Sequence, residues 1–225
     1  MILAQGEEPL VRWDWVGDHT DLYLEKLVEH SQLTAIAVGV GLLISLPVGI
    51  YVYAHRRAYP PVTAFTGILY TIPSLALFAF LVPYTGFSFV TAEIGLVGYT
   101  LLILIRNVVA GLQGVPEDAR DAARGMGYSR RQLLWRVELP LAMPAIMTGV
   151  RVATVTTIGL VTVTSLIGLG GFGRLILDGW RTFFPTMTIT GSVLSIALAV
   201  GVDGLLLLTQ RFLAPWYQGA RRAYG

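Results

Sequence analysis

Cysteine is absent from the 225 residues, which excludes a disulfide framework, a thiolate metal site and a cysteine nucleophile. Histidine is scarce, and His19, His30 and His55 are too scattered to form a ligand set, so metal chemistry is not expected. Charge is scarce too: 13% of residues are charged against 54% hydrophobic. The mean hydropathy of +0.65 lies well outside the range of water-soluble domains. Such a composition points to a bilayer. The length leaves room for one membrane domain, but not for an added ATPase or ligand-binding domain of roughly 100 to 200 residues. Partners are expected to supply those. The opening MILAQGEEPL lacks a basic segment and a long apolar core, so the first span, not a cleavable signal, is expected to act as the targeting element.

What the sequence does hold is a series of apolar runs of about 20 residues, the length that crosses about 30 Å of hydrocarbon. Five spans are predicted, over 32–54, 62–84, 90–111, 142–167 and 187–212, giving an all-α polytopic membrane protein. Arginines fix its orientation. Arg56 and Arg57 follow span one, Arg106 to Arg136 separate spans three and four, and Arg211, Arg221 and Arg222 follow span five. Those loops share a side, which the positive-inside rule makes cytoplasmic. Residues 1–30 carry seven acidic side chains, so the N-terminus is expected outside and the C-terminus inside. The expected organisation is an external segment 1–30, a transmembrane domain 31–214 containing a basic region at 115–140, and a cytoplasmic tail 215–225. The sequence pI near 9.0 follows from these loops and requires no nucleic-acid partner.

Within span one, Ala37, Gly41, Ser45 and Gly49 recur every four residues and line one helix face with small side chains, which permits close packing. Pro47 and Pro73 introduce kinks or local breaks into spans one and two. Span four is rich in hydroxyls that either bond back to their own helix or line a polar path. Thr157 and Thr164 of that span, with Thr71, Pro73 and Ser74 of span two, are the candidate path residues. Arg151 and Asp203 fall inside spans four and five, each roughly 10–12 Å from the cytoplasmic end at about 1.5 Å per residue. An unpaired charge at that depth is costly, so the two are expected to pair, as a structural clamp. Glu93, near the outer end of span three, and Arg106 with Asn107 near its inner end are expected to snorkel to the interface.

Gly168, Gly170 and Gly173 satisfy the G-x-G-x-x-G spacing of a dinucleotide loop, but a membrane span precedes them where that loop needs a strand. The run is read instead as a tight turn, after which Leu175, Ile176, Trp180, Phe183 and Phe184 lie at the outer interface.

The basic region divides into two helices. Pro116 suits a first helical position, Glu117 and Asp118 complement the positive end of the helix dipole, and Arg120 and Arg124 follow. Ala119, Ala122, Ala123 and Met126 share a shallow face suited to a groove on another molecule. Gly127 stops this helix, Ser129 and Gln132 form a capping box for the next, and Leu139-Pro140 ends that one and opens span four.

Asp121-Ala122-Ala123, Gly127, Val137 and Leu139-Pro140, at their spacing, resemble the signature of ABC importer permeases, with aspartate where that family most often has glutamate. The resemblance extends over roughly residues 20–215 and is nearest to osmoprotectant permeases. It implies a type I ABC importer permease fold in a bacterial or archaeal cytoplasmic membrane, with Asp121, Ala122, Ala123, Gly127, Val137, Leu139 and Pro140 forming the coupling region that docks on an ATPase subunit. It also implies a second permease, identical or paralogous, an external substrate-binding protein, and ATP and Mg held by the ATPase. No cofactor is expected on this chain. The solute implied is glycine betaine, choline or carnitine; another small solute such as an amino acid, an ion-gradient-driven transporter, and a scaffold that only recruits a partner are the alternatives.

Overall fold

Proline and glycine punctuate the apolar runs, and the helices begin and end at that punctuation. In the computed structural model, which describes residues 9–213, a short α1 (Trp13–Asp18) leads into the long α2 (Thr20–Ala54). A 3-10 turn (Arg56–Ala58) precedes α3 (Tyr59–Thr71), α4 (Ser74–Thr85) and α5 (Phe89–Gln113). Then come α6 (Glu117–Gly125), α7 (Arg130–Leu133), a π-helical turn (Leu134–Glu138) and α8 (Leu139–Val163). A 3-10 turn (Thr164–Ile167), α9 (Phe172–Arg181) and α10 (Pro185–Leu213) complete the described residues, which include no strand. The predictions for residues 1–8 and for the tail 215–225, with Arg221 and Arg222, lie outside them.

α2, α5, the run Arg130–Ile167 and α10 are each long and apolar enough to cross a membrane. α3 and α4 make a fifth span if the bent pair is taken as one, with 93° between them. Span two, predicted over 62–84, is thus broken at Pro73, one of the two outcomes expected for that proline. Steric conflict with the Pro73 ring drives Ile72 out of the helical region, to φ −65° and ψ 126°. The Tyr99 hydroxyl of α5 donates to the Ile72 carbonyl and so satisfies a backbone group exposed by the break. Pro47, by contrast, lies inside the unbroken α2.

Lipid is as apolar as leucine, so the spans associate through close packing more than through the hydrophobic effect. α2 and α5 meet on the small-residue stripe. A Cβ on Gly41 would overlap the Thr100 side chain, and one on Gly49 would come within 2.5 Å of Val108. α8 packs against both α5 and α2, with Gly149 against Asn107 of α5. Leu33, Ala37, Phe78, Leu96 and Val161 form a core cluster where α2, α4, α5 and α8 converge. Phe78 lies across Gly95.

Three local expectations need correction. α2 starts at Thr20, well before the apolar run at 32, because Asp21 to Glu29 form polar helical turns continuous with it. The helix after Ser129 does not stop at Leu139-Pro140. It passes into α8 through the π turn, where the Leu139 amide donates to the Leu134 carbonyl, and the longer spacing accommodates the amide that Pro140 lacks. α9 is not an interfacial strip: Leu175 and Leu177 are buried within the protein, and only Trp180 and the following Phe183 are strongly exposed.

Sequence logic also missed His30. Its ring is fully buried, with Nε2 donating to the Ile158 carbonyl at 3.0 Å and Nδ1 accepting the Phe172 amide at 3.3 Å. This bonding requires the neutral ring. It joins α2 to α8 and to the start of α9, and Gly171, at φ 50°, leaves no room for a Cβ beside the His30 backbone.

Candidate functional site

At one end of the helix bundle, α6 forms the exposed element that the sequence singles out. Pro116 is its N-cap, not its first helical residue, with φ −58° and ψ 137°. Gly127, at φ 82°, closes the helix with a pair of reversed hydrogen bonds: its amide donates to the Arg124 carbonyl at 2.9 Å, and the Tyr128 amide donates to Ala123 at 3.1 Å. Gly127 is needed here for its backbone conformation, since nothing lies within 4 Å of a Cβ built on it. Both bonds of the capping box are present, Gln132 N–H to Ser129 Oγ and Ser129 N–H to Gln132 Oε1.

The two alanines part company. Ala122 is exposed, whereas Ala123 is 1% exposed and packs against the rest of the protein. Met126, also exposed, and Ala122 remain on the outer face. Asp121 is exposed and accepts from Arg124 at 2.8 Å, and Glu117 accepts from Arg124 and Arg120 at the same distance. Those donors hold the Glu117 carboxyl below its ordinary pKa of 4.5, Arg124 first and Arg120 second. Val137 is half-buried in the π turn, Leu139 is buried, and Pro140 is half-buried at the start of α8.

Arg120 holds α6 to the rest of the protein. Its Nε donates to Glu138 Oε1 at 2.8 Å, and its Nη2 donates to the Tyr53 hydroxyl at 3.0 Å and to the Leu112 carbonyl at 2.7 Å. Tyr53 in turn donates to Glu138 at 2.8 Å. One guanidinium thus ties α6 to the last turns of α2 and α5 and to the π turn that opens α8. Both charged partners are largely buried, and their hydrogen bonding makes that burial tolerable. Sequence reasoning placed Arg120 only along the helix dipole. The i,i+3 spacing to Glu117 was visible, but Glu138 and Tyr53 come from distant segments.

Deeper in the bundle, Arg151 of α8 and Asp203 of α10 form a bidentate pair, Nε to Oδ1 at 2.9 Å and Nη2 to Oδ2 at 2.8 Å. Thr148, Val152, Val155 and Thr156 surround it in a shallow depression. Arg106 is exposed, and Asn107 donates to the Ile103 carbonyl one turn back. Glu93 does not snorkel. Both carboxylate oxygens are buried, and neither has a hydrogen-bond partner among the described residues. It lines an open cavity of about 700 Å³ between α2, α3, α4 and α5, at whose rim Phe80, Val90 and Ile94 are exposed.

The candidate path residues fall into two groups. Thr71, Pro73 and Ser74 sit at the break between α3 and α4, and Thr71 donates to the Ile68 carbonyl. Thr157 and Thr164 are buried, and Thr164 donates to the Val161 carbonyl within its own turn. No side-chain hydrogen bond among the described residues links the groups.

Together these features define a helical, polytopic membrane protein whose bundle carries a rigidly attached exposed helix at one end. Residues 38–216 match the family described as "Binding-protein-dependent transport system inner membrane component", and the chain belongs to that family. It is thus a permease component of an ABC importer and resides in the membrane. Its relatives include the glycine betaine/carnitine/choline transport system permease protein OpuCB of Bacillus subtilis (strain 168), 35% identical over 85% of this chain and 88% of that protein. The osmoprotectant import permease protein OsmW of Salmonella typhimurium is 36% identical over 86% of this chain and 93% of its own length. An inward-facing structure of the MetNI methionine ABC transporter superimposes over 87% of this chain and 98% of its own, with a TM-score of 0.79 at 23% identity, which shows the type I importer permease fold.

Proposed function

We propose that this chain is the membrane-spanning subunit of an ATP-driven importer for a small quaternary amine of the glycine betaine, choline or carnitine type. The observation that carries the coupling role is the Arg120 cluster. Because the guanidinium binds α6 to Tyr53, Leu112 and Glu138, a push on α6 is delivered at once to the ends of α2 and α5 and to the start of α8. The solute class is supported by the names of the relatives, which carry glycine betaine, carnitine, choline and osmoprotectants.

In this reading, two permeases face each other and two ATPase subunits hold ATP and Mg beneath them. Ala122, Met126 and the Gly127 turn dock into the ATPase, with Asp121 at the edge of the contact. Closure of the ATPases displaces α6 and alternates the bundle between inward-open and outward-open states. An external binding protein delivers the solute, and hydrolysis takes place on the ATPase alone. The cationic residues around α6 support placing this end in the cytoplasm, with the N-terminus outside and the C-terminus inside.

The chain has no cysteine, so Met126→Cys introduces a single thiol. Assembly with the ATPase subunits should shield that thiol from a maleimide, while an isolated permease should label readily. Equal labelling in both would contradict the docking assignment.

A further inference from the structure

The cavity containing Glu93 has a chemical composition that narrows what can occupy it. Ile36 and Val40 come from α2, Leu69 from α3, Phe80 from α4 and Phe89 from α5, and Glu93 is the one polar side chain among the lining residues. Its volume of about 700 Å³ lies within the ~300–1,000 Å³ of ordinary small-molecule sites. The turn between α4 and α5 is already satisfied. Ser88 Oγ accepts the Thr91 amide, the Thr91 hydroxyl donates to the Gly86 carbonyl, and Thr85 and Thr91 share a hydrogen bond of 2.7 Å. Glu93, by contrast, has no hydrogen-bond partner among the described residues.

An ionisable side chain in a membrane span without a counter-charge is costly, and this one lies about 6 Å into α5 at a rise of about 1.5 Å per residue. Without a partner it is held as the neutral, protonated carboxyl; as a carboxylate it needs a partner of positive charge. A hard metal cation would require about six oxygen ligands, and this cavity offers one carboxylate. A primary ammonium brings three N–H donors, which the apolar walls cannot satisfy. A quaternary ammonium has no N–H at all. Its diffuse charge needs one counter-ion, and its methyl groups suit aliphatic and aromatic walls.

We infer that the cavity between α2, α3, α4 and α5 is a binding subsite for a quaternary ammonium group, with Glu93 as counter-ion and Phe80 and Phe89 beside it. This rests on the proposed function, which it deepens by assigning part of the solute recognition to the permease itself. The subsite lies at the end of α5 opposite Leu112 and the Arg120 cluster, where a solute released by the external binding protein would arrive. It requires no polar contact from Thr157 or Thr164.

The test uses the assembled importer in detergent and in proteoliposomes. A hydrophobic carbodiimide should modify Glu93, as read by mass spectrometry, and saturating tetramethylammonium chloride should lower that modification by about fivefold. Sodium chloride at the same concentration should leave it unchanged. Glu93→Gln should assemble with the ATPase yet import choline about tenfold more slowly or worse, with Glu93→Asp recovering part of the rate. Labelling of Glu93 indifferent to tetramethylammonium, as for a cavity filled by lipid chains, would overturn the inference. So would wild-type choline uptake by Glu93→Gln. If the unmodified importer takes up no quaternary amine, the proposed function itself fails. Normal uptake that ignores Glu93 defeats only the subsite.

Discussion

Asp203 and Glu93 are both acids within apolar helices, but their surroundings differ. Asp203 meets Arg151 across α8 and α10 with two hydrogen bonds. Glu93 faces hydrocarbon side chains and has no hydrogen-bond partner among the described residues. A paired acid neutralises a charge that another span has already placed in the membrane, so it contributes to holding the bundle together. An unpaired acid contributes nothing of that kind, and in the inferred subsite it serves a ligand that comes and goes. Glu138 extends the comparison to the end of the bundle that carries α6, where burial is again matched by Arg120.

The largest effect should come from Arg120→Ala, which leaves Glu138 buried and the Leu112 carbonyl without its donor. A loss of about 3–5 kcal/mol is expected from breaking one side of a buried pair, measured by thermal or denaturant unfolding in detergent. ATP-driven uptake should fall with it. Next, Asp203→Asn strands Arg151 within the spans and should cost about 2.5–3.5 kcal/mol. The double variant Arg151→Met with Asp203→Leu should recover most of that loss, because charge and counter-charge leave together. If the double variant is no more stable than the single, the clamp reading of this pair is wrong.

Gly127→Val should have a smaller effect on stability, about 1–2 kcal/mol, from forcing a β-branched residue to φ 82°. Its effect on coupling should be larger, and ATPase co-purification with the permease is the readout. Glu93→Gln reverses the pattern of Asp203→Asn, with stability held or raised and quaternary-amine uptake lost. The smallest effect concerns pH. Arg124 and Arg120 depress the Glu117 pKa below 4.5, so their stabilisation of α6 is fully present above that value. It is lost as pH falls through the depressed value. The protection factors of the α6 amides, which correct for the intrinsic pH dependence of exchange, should therefore fall below about pH 4.5, and protection indifferent to that acidification would remove Glu117 from the account.

The Arg151–Asp203 pair was legible in the sequence, whereas the pairing of Arg120 with Glu138 was not. Counting residues from the span ends puts Arg151 and Asp203 at one depth, and the four-residue repeat of Ala37, Gly41, Ser45 and Gly49 identifies the face that α2 turns to α5. The capping box and the Gly127 stop are likewise local, set within a few residues of chain. Glu93 was misread because its cavity is built by α2, α3 and α4, whose side chains have no sequence relation to it. His30 was overlooked for the same reason, since its partners lie 128 and 142 residues away. The split between Ala122 and Ala123 depends on where α6 rests on the bundle. The buried face of α9 shows a further limit: amphipathic periodicity identifies an apolar side but not whether lipid or protein covers it.

The most direct test is uptake of labelled choline into proteoliposomes holding this permease with its ATPase and binding protein. Accumulation should require ATP on the side where α6 lies, together with all the partner subunits. Accumulation by this chain alone, driven by an ion gradient without ATP, would contradict the account.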